Sequence, residues 1–91
     1  MARIYNFSAG PATLPETVLE QVRDDLLDYK GTGMSITESS HRGKAYDAVH
    51  NQAVENYSRL LGLSGDYSVL FLSGGATGQF AMLPMNMIST E

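Results

Sequence analysis

The chain has 91 residues, no cysteine and a net charge of −4, from ten Asp plus Glu against six Lys plus Arg. That length suits a single small domain with a marginal core, and the lack of cysteine excludes a disulfide framework, a thiol nucleophile and a Cys-ligated zinc site. The basic residues Arg3, Arg23, Lys30, Arg42, Lys44 and Arg59 are scattered, so no stripe tracks a phosphate backbone and nucleic acid is not an expected partner. The opening MARIYNFS has no apolar targeting core, and no apolar run reaches membrane-spanning length, which predicts a soluble, cytoplasmic protein without a membrane partner.

In chain order, residues 3–7 read as a short extended piece and residues 8–12, SAGPA, as a small-residue turn. Thr13-Leu14-Pro15-Glu16 matches the S/T-x-x-E capping box, with the proline in the first turn. Val18, Leu19, Val22, Leu26 and Tyr29 then share a helical stripe that stops at Gly31, predicting a helix over about 14–30. Residues 31–43 follow neither period and are dense in Gly, Ser and Thr. A loop that long in a small chain is a candidate for function.

A second helix is predicted from about Lys44 to Leu61, with Tyr46, Val49, His50, Ala53, Tyr57, Leu60 and Leu61 on one face and Gly62 placed to end it. Ser64-Gly65-Asp66 reads as a turn. Residues 67–72 are rich in strand formers, and their continuous VLFL suits a strand covered on both faces. A third helix is expected from Ala76 to about Ser89. It carries Phe80, Ala81, Met82, Leu83, Met85, Met87 and Ile88 with almost no polar face, and Pro84 is placed to kink it. One strand and two other helices cannot bury such a segment, so the chain reads as incomplete.

Two stretches could carry chemistry. In SGGATGQ, residues 73–79, adjacent glycines leave the predicted strand and open a helix. The amides of Gly75, Ala76 and Thr77 with the Thr77 hydroxyl suit an anion, and the alternative is a plain strand-to-helix turn. Neither the Walker A spacing nor the dinucleotide fingerprint is present. In SSHRG, residues 39–43, Arg42 can grip a carboxylate or phosphate through two parallel hydrogen bonds while His41 adds a donor. The alternative there is a solvated loop whose serine caps the second helix. His50 reads as a packed histidine, and Asp24, Asp25 and Asp28 as a solvated helix face. No histidine accompanies those carboxylates at ligand spacing, so no metal site is expected. Met82, Met85 and Met87 read as packing residues.

Taken together, FSAGPA at 7–12, SHRGK at 40–44 and FLSGGATGQFAMLPMN at 71–86 resemble the N-terminal region of the phosphoserine aminotransferase family. The resemblance covers essentially the whole chain. It implies an α/β chain, the N-terminal part of the aspartate-aminotransferase-like (fold-type I) fold, here mostly helices plus a strand at about 67–72. It also implies a pyridoxal 5'-phosphate cofactor, a homodimer, and amino transfer from L-glutamate to 3-phosphohydroxypyruvate, giving O-phospho-L-serine and 2-oxoglutarate. Roles in serine biosynthesis and pyridoxine biosynthesis follow from the same resemblance.

By that resemblance Gly75, Ala76 and Thr77 lie at the cofactor phosphate, and His41 and Arg42 help hold the acidic end of the substrate. FSAGPA supplies backbone near the substrate carboxylate. Many members carry serine where this chain has Ala9, so a role there belongs to the amide. Neither Lys30 nor Lys44 resembles the lysine that bonds the cofactor, which lies far downstream in the family. Residues 1–91 are therefore expected to be an incomplete N-terminal domain fragment, without a catalytic residue of its own and inactive until joined by the remainder of the enzyme. Two competing readings are a small phosphate-binding module and a fragment whose apolar last helix docks on a partner.

Overall fold

The fold is that of a computed structural model, in which residues 2–89 are described. Three helices follow one another: α1 (Glu16–Asp24), α2 (Lys44–Leu60) and α3 (Gly75–Met87), with a short 3-10 turn at Ile36–Glu38. The chain divides into two compact units, Met1–His50 and Asn51–Glu91. Among the described residues no hydrophobic side chain is buried, and Ser35 is the buried polar one. No helix of the described residues is long and apolar enough to cross a membrane.

In the first unit, α1 starts later and stops earlier than its hydrophobic period suggests. Thr13 does not cap it. Pro15 is the N-cap and makes no side-chain bond, because the Thr13 hydroxyl is engaged elsewhere, accepting from the Asn6 amide at 3.0 Å and donating to the Asn6 carbonyl at 3.2 Å. At the other end, the stripe through Leu26 and Tyr29 continues in the sequence while the helix does not. The Tyr29 amide bonds the Met34 carbonyl at 2.9 Å, and the Asp28 carboxylate accepts the Gly33 amide at 2.8 Å. Asp28 thus ties a loop together instead of decorating a helix face. Lys30, Gly31 and Gly33 all have positive φ, at 49°, 77° and 76°, a conformation that no right-handed helix can contain.

The capping box lies in the loop instead. Ser35-Ile36-Thr37-Glu38 has the same signature as residues 13–16. Here the Thr37 amide donates to Ser35 Oγ at 3.3 Å and the Ser35 amide donates to Glu38 Oε2 at 2.9 Å. Val18, Val22 and Leu26 line one apolar groove together with Ser35, Ile36 and Thr37, so the loop lies against the apolar stripe of α1.

α2 matches its expected range, and its end has a clear cause. The Gly62 amide donates to the Arg59 carbonyl at 3.2 Å and the Leu63 amide to the Ser58 carbonyl at 2.9 Å, with Gly62 at φ 61°. That pair of bonds around a left-handed residue is the Schellman ending, which glycine adopts without a Cβ penalty. The Tyr46 and His50 rings stack with centroids 6.0 Å apart.

In the second unit, the turn at 64–67 forms, with the Tyr67 amide on the Ser64 carbonyl at 3.2 Å. Residues 67–72 are not a strand: they have no regular structure. A strand exists through the ladder to its neighbour, and among the described residues no second extended segment is paired with it. Phe71 still packs edge-on against Tyr57 of α2, with ring centroids 5.5 Å apart. α3 starts at Gly75, one residue before the expected Ala76, and runs through Pro84 to Met87. Pro84 withholds the amide that would bond the carbonyl four residues back. Phe80, Met85 and Met87 are 83%, 81% and 75% exposed.

Candidate functional site

Three groups of residues carry the site expected from the sequence, and each is shaped by local hydrogen bonding. The first is the start of α3. Gly74 is its N-cap at φ 95° and Gly75 follows at φ 52°. Both values lie where L side chains are strained, which answers why two glycines stand in succession. The Gly78 amide bonds the Gly74 carbonyl at 3.1 Å, leaving the amides of Gly75, Ala76 and Thr77 as the donors of the helix start. Thr77, which carries a hydroxyl, is exposed in that same first turn. Three amides, one hydroxyl and the positive end of the helix dipole form a donor set that fits a phosphate monoester.

The second group is the approach to α2. The Arg42 amide donates to Ser40 Oγ at 3.2 Å, and the Gly43 amide donates to the Ser40 carbonyl at 2.8 Å. Ser40 thus closes a tight turn and does not cap the helix. The Asp47 amide bonds the Gly43 carbonyl at 3.0 Å, so α2 begins directly after Gly43. A Cβ on Gly43 would meet the Ser40 carbonyl oxygen at 3.1 Å, so the turn favours glycine through close approach. His41 and Arg42 are both exposed on this turn. The one ion pair among the described residues joins Arg23 to Asp24 at 2.9 Å, so the Arg42 guanidinium takes part in none.

The third group is the loop at 7–12, and here a residue that the sequence reading passed over does the organising. The Asn6 side chain lies across the loop. Its Nδ2 donates to the Pro11 carbonyl at 2.6 Å, and its Oδ1 accepts from the Ser8 amide at 3.1 Å and the Ser8 hydroxyl at 2.7 Å. The Thr13 amide closes the loop on the Asn6 carbonyl at 3.0 Å, and Gly10 turns at φ 95°. Ala9 sits exposed at the bend. The signal was present in the sequence, since an Asn two residues before a Ser is the pattern of a side chain bonding its own backbone. Within the first unit, no hydrogen bond or ion pair among the described residues joins Ala9 to His41 or Arg42. Among the described residues no group of three or more His, Cys, Asp or Glu has metal-binding geometry.

The family model described as aminotransferase class-V matches residues 4–90. Phosphoserine aminotransferase of Desulfosudis oleivorans is 58% identical over 86 residues, which are 94% of this chain and 24% of that protein. The solved phosphoserine aminotransferase from Bacillus circulans subsp. alkalophilus aligns with a TM-score of 0.83 at 57% identity, covering 91% of this chain and 23% of that one. Another, the pyridoxal-phosphate-bound phosphoserine aminotransferase of Trichomonas vaginalis, aligns with a TM-score of 0.88 at 40% identity, over 97% of this chain and 24% of that one. The chain thus spans about a quarter of the length of the curated relatives it matches. With a family model over residues 4–90 and this identity to its members, the chain belongs to the class-V aminotransferases.

Proposed function

We propose that these residues are the N-terminal part of a pyridoxal-phosphate-dependent phosphoserine aminotransferase. The complete protein moves the amino group of L-glutamate to 3-phosphohydroxypyruvate, yielding O-phospho-L-serine and 2-oxoglutarate, with an allied role in pyridoxine biosynthesis. The observation that carries this is the 58% identity to a phosphoserine aminotransferase across 94% of the chain. It is joined by the glycine-led start of α3, whose donors fit the cofactor phosphate.

Within this reading each group has a defined task. The amides of Gly75, Ala76 and Thr77, with the Thr77 hydroxyl, hold the cofactor phosphate. His41 and Arg42 hold the acidic end of the substrate, Arg42 through its planar fork. The Ala9 amide faces the substrate carboxylate. Bound pyridoxal phosphate supplies the electron sink on which amino transfer depends. The lysine, aspartate and stacking aromatic that complete such a site belong to the remainder of the enzyme. Residues 67–72 become a strand once sheet neighbours are present, in a fold-type I α/β domain of which 1–91 is an incomplete part. The complete enzyme is a cytoplasmic homodimer.

The test uses the complete protein, purified with pyridoxal phosphate. The expected result is visible absorbance from bound cofactor, glutamate-dependent conversion of 3-phosphohydroxypyruvate, and the mass of a dimer. A protein that binds inorganic phosphate without colour or turnover would be a phosphate-binding module and would end this reading.

A further inference from the structure

We propose that Asn6 is a positioning residue for substrate binding: it pre-forms the 7–12 loop so that the Ala9 and Gly10 amides together receive the substrate carboxylate. This rests on the reading of Ala9 as a substrate contact and extends it to a second amide and to the side chain that aims both. The three bonds from the Asn6 side chain, to the Ser8 amide, the Ser8 hydroxyl and the Pro11 carbonyl, engage both ends of the loop. The Thr13 amide and hydroxyl bond the Asn6 carbonyl and so fix the base on which that side chain stands.

Between those anchors, the Ala12 amide turns inward to the Gly10 carbonyl at 2.9 Å. The amides of Ala9 and Gly10 have no intramolecular acceptor among the described residues. Both residues are exposed, and a Cβ built on Gly10 meets nothing within 4 Å. The loop therefore spends its polar side chains on itself and leaves two adjacent backbone donors without an acceptor among the described residues. Oriented backbone amides of this kind recognise a carboxylate without a charged side chain.

The Asn6 side chain bonds only within this loop, to Ser8 and Pro11, so its effect on substrate passes through the loop. When a binding-competent shape is only partly populated, apparent affinity falls by that fraction while the chemistry of the bound state is kept. That sets a signature distinct from a general loss of structure.

The experiment is steady-state kinetics of the complete enzyme, wild type, Asn6→Ala and Ser8→Ala, with cofactor affinity and melting temperature measured on each. Asn6→Ala removes all three side-chain bonds and is expected to raise KM for L-glutamate by about tenfold with kcat within about twofold. Ser8→Ala removes one bond and is expected to raise KM by about twofold in the same direction, which keeps the test in force should Asn6→Ala fold poorly. Cofactor affinity and melting temperature should match wild type. Unchanged KM in a folded Asn6→Ala overturns the proposal, as does wild-type KM in Ser8→Ala when that variant alone folds. A parallel fall in kcat, cofactor affinity and melting temperature overturns it too, since that pattern belongs to a merely structural residue. If wild type itself fails to use glutamate, the reading of the enzyme falls, and this proposal with it.

Discussion

Residues 6–13 and residues 67–89 fold by opposite means. The first stretch is closed by its own polar groups: Asn6 and Thr13 bond across it through side chain and backbone, and Asn6 reaches Ser8 and Pro11. The second stretch has apolar side chains and little to set them against. Leu70 and Leu72 are 71% and 59% exposed, the segment 67–72 has no regular structure, and α3 is apolar around most of its circumference. Hydrogen-bonded loops need partners a few residues away. Hydrophobic elements need area, and area comes from distant parts of a chain. The difference is between a stretch that closes on its own hydrogen bonds and one whose apolar side chains stay exposed.

The largest expected effect tests that contrast directly. Residues 1–91 on their own should aggregate or remain molten and show no transaminase activity, because no hydrophobic side chain among the described residues is buried. Size-exclusion chromatography and thermal melting check this. A monomer with a sharp cooperative melt would break the comparison, whereas activity regained on adding the remainder of the enzyme would sharpen it.

Next in size is Thr77→Val in the complete enzyme, which keeps the shape at the start of α3 and removes one hydrogen bond to a charged group. Such bonds are worth about 1.5–3 kcal/mol, so pyridoxal phosphate affinity should fall roughly ten- to hundredfold. Cofactor titration reads it directly, and unchanged affinity in a folded variant places Thr77 outside the phosphate site.

Arg42→Lys should cost less and in a different quantity. Lysine keeps the charge and loses the planar fork, so kcat/KM for the acidic substrates is expected to drop by about tenfold, roughly 1.4 kcal/mol. Cofactor absorbance should hold. Wild-type kinetics in this variant would return the SHRGK turn to a solvated loop ahead of α2.

The smallest effect concerns stability alone. Ser35→Ala removes the capping side chain of the Ile36–Glu38 turn, and loss of such a cap costs about 1 kcal/mol. The complete enzyme should melt slightly lower with unaltered kinetics. A change in kinetics without a change in melting would show that this turn acts on the site and does not only brace the loop.

Much of this was legible without coordinates. The α2 boundaries, the glycine that ends it, the turn at 64–67 and the helix opened by Gly74 and Gly75 all depend on contacts within five residues, and the local sequence contains both partners of each. The capping signature stands at both Thr13 and Ser35 and the structure caps with Ser35, because the signature states which residues can cap but not whether their oxygen is already engaged. Asn6 held the Thr13 hydroxyl, and that pairing spans seven residues. The C-terminal part of α1 followed the same logic: its stripe was real, yet Asp28 and Met34 gave the backbone other partners.

What the sequence by itself determined is where glycine must sit, where helices can start and stop, and which polar groups stand together on short turns. These are short-range matters of sterics and hydrogen bonding. What only tertiary structure decides is whether VLFL becomes a strand and whether the apolar faces of α1 and α3 are covered. A strand is a relation between two segments, and a buried face is a relation between two surfaces. Residues 67–72 carry the propensity for the first and α3 the surface for the second, but neither state exists until a partner supplies the ladder or the contact area.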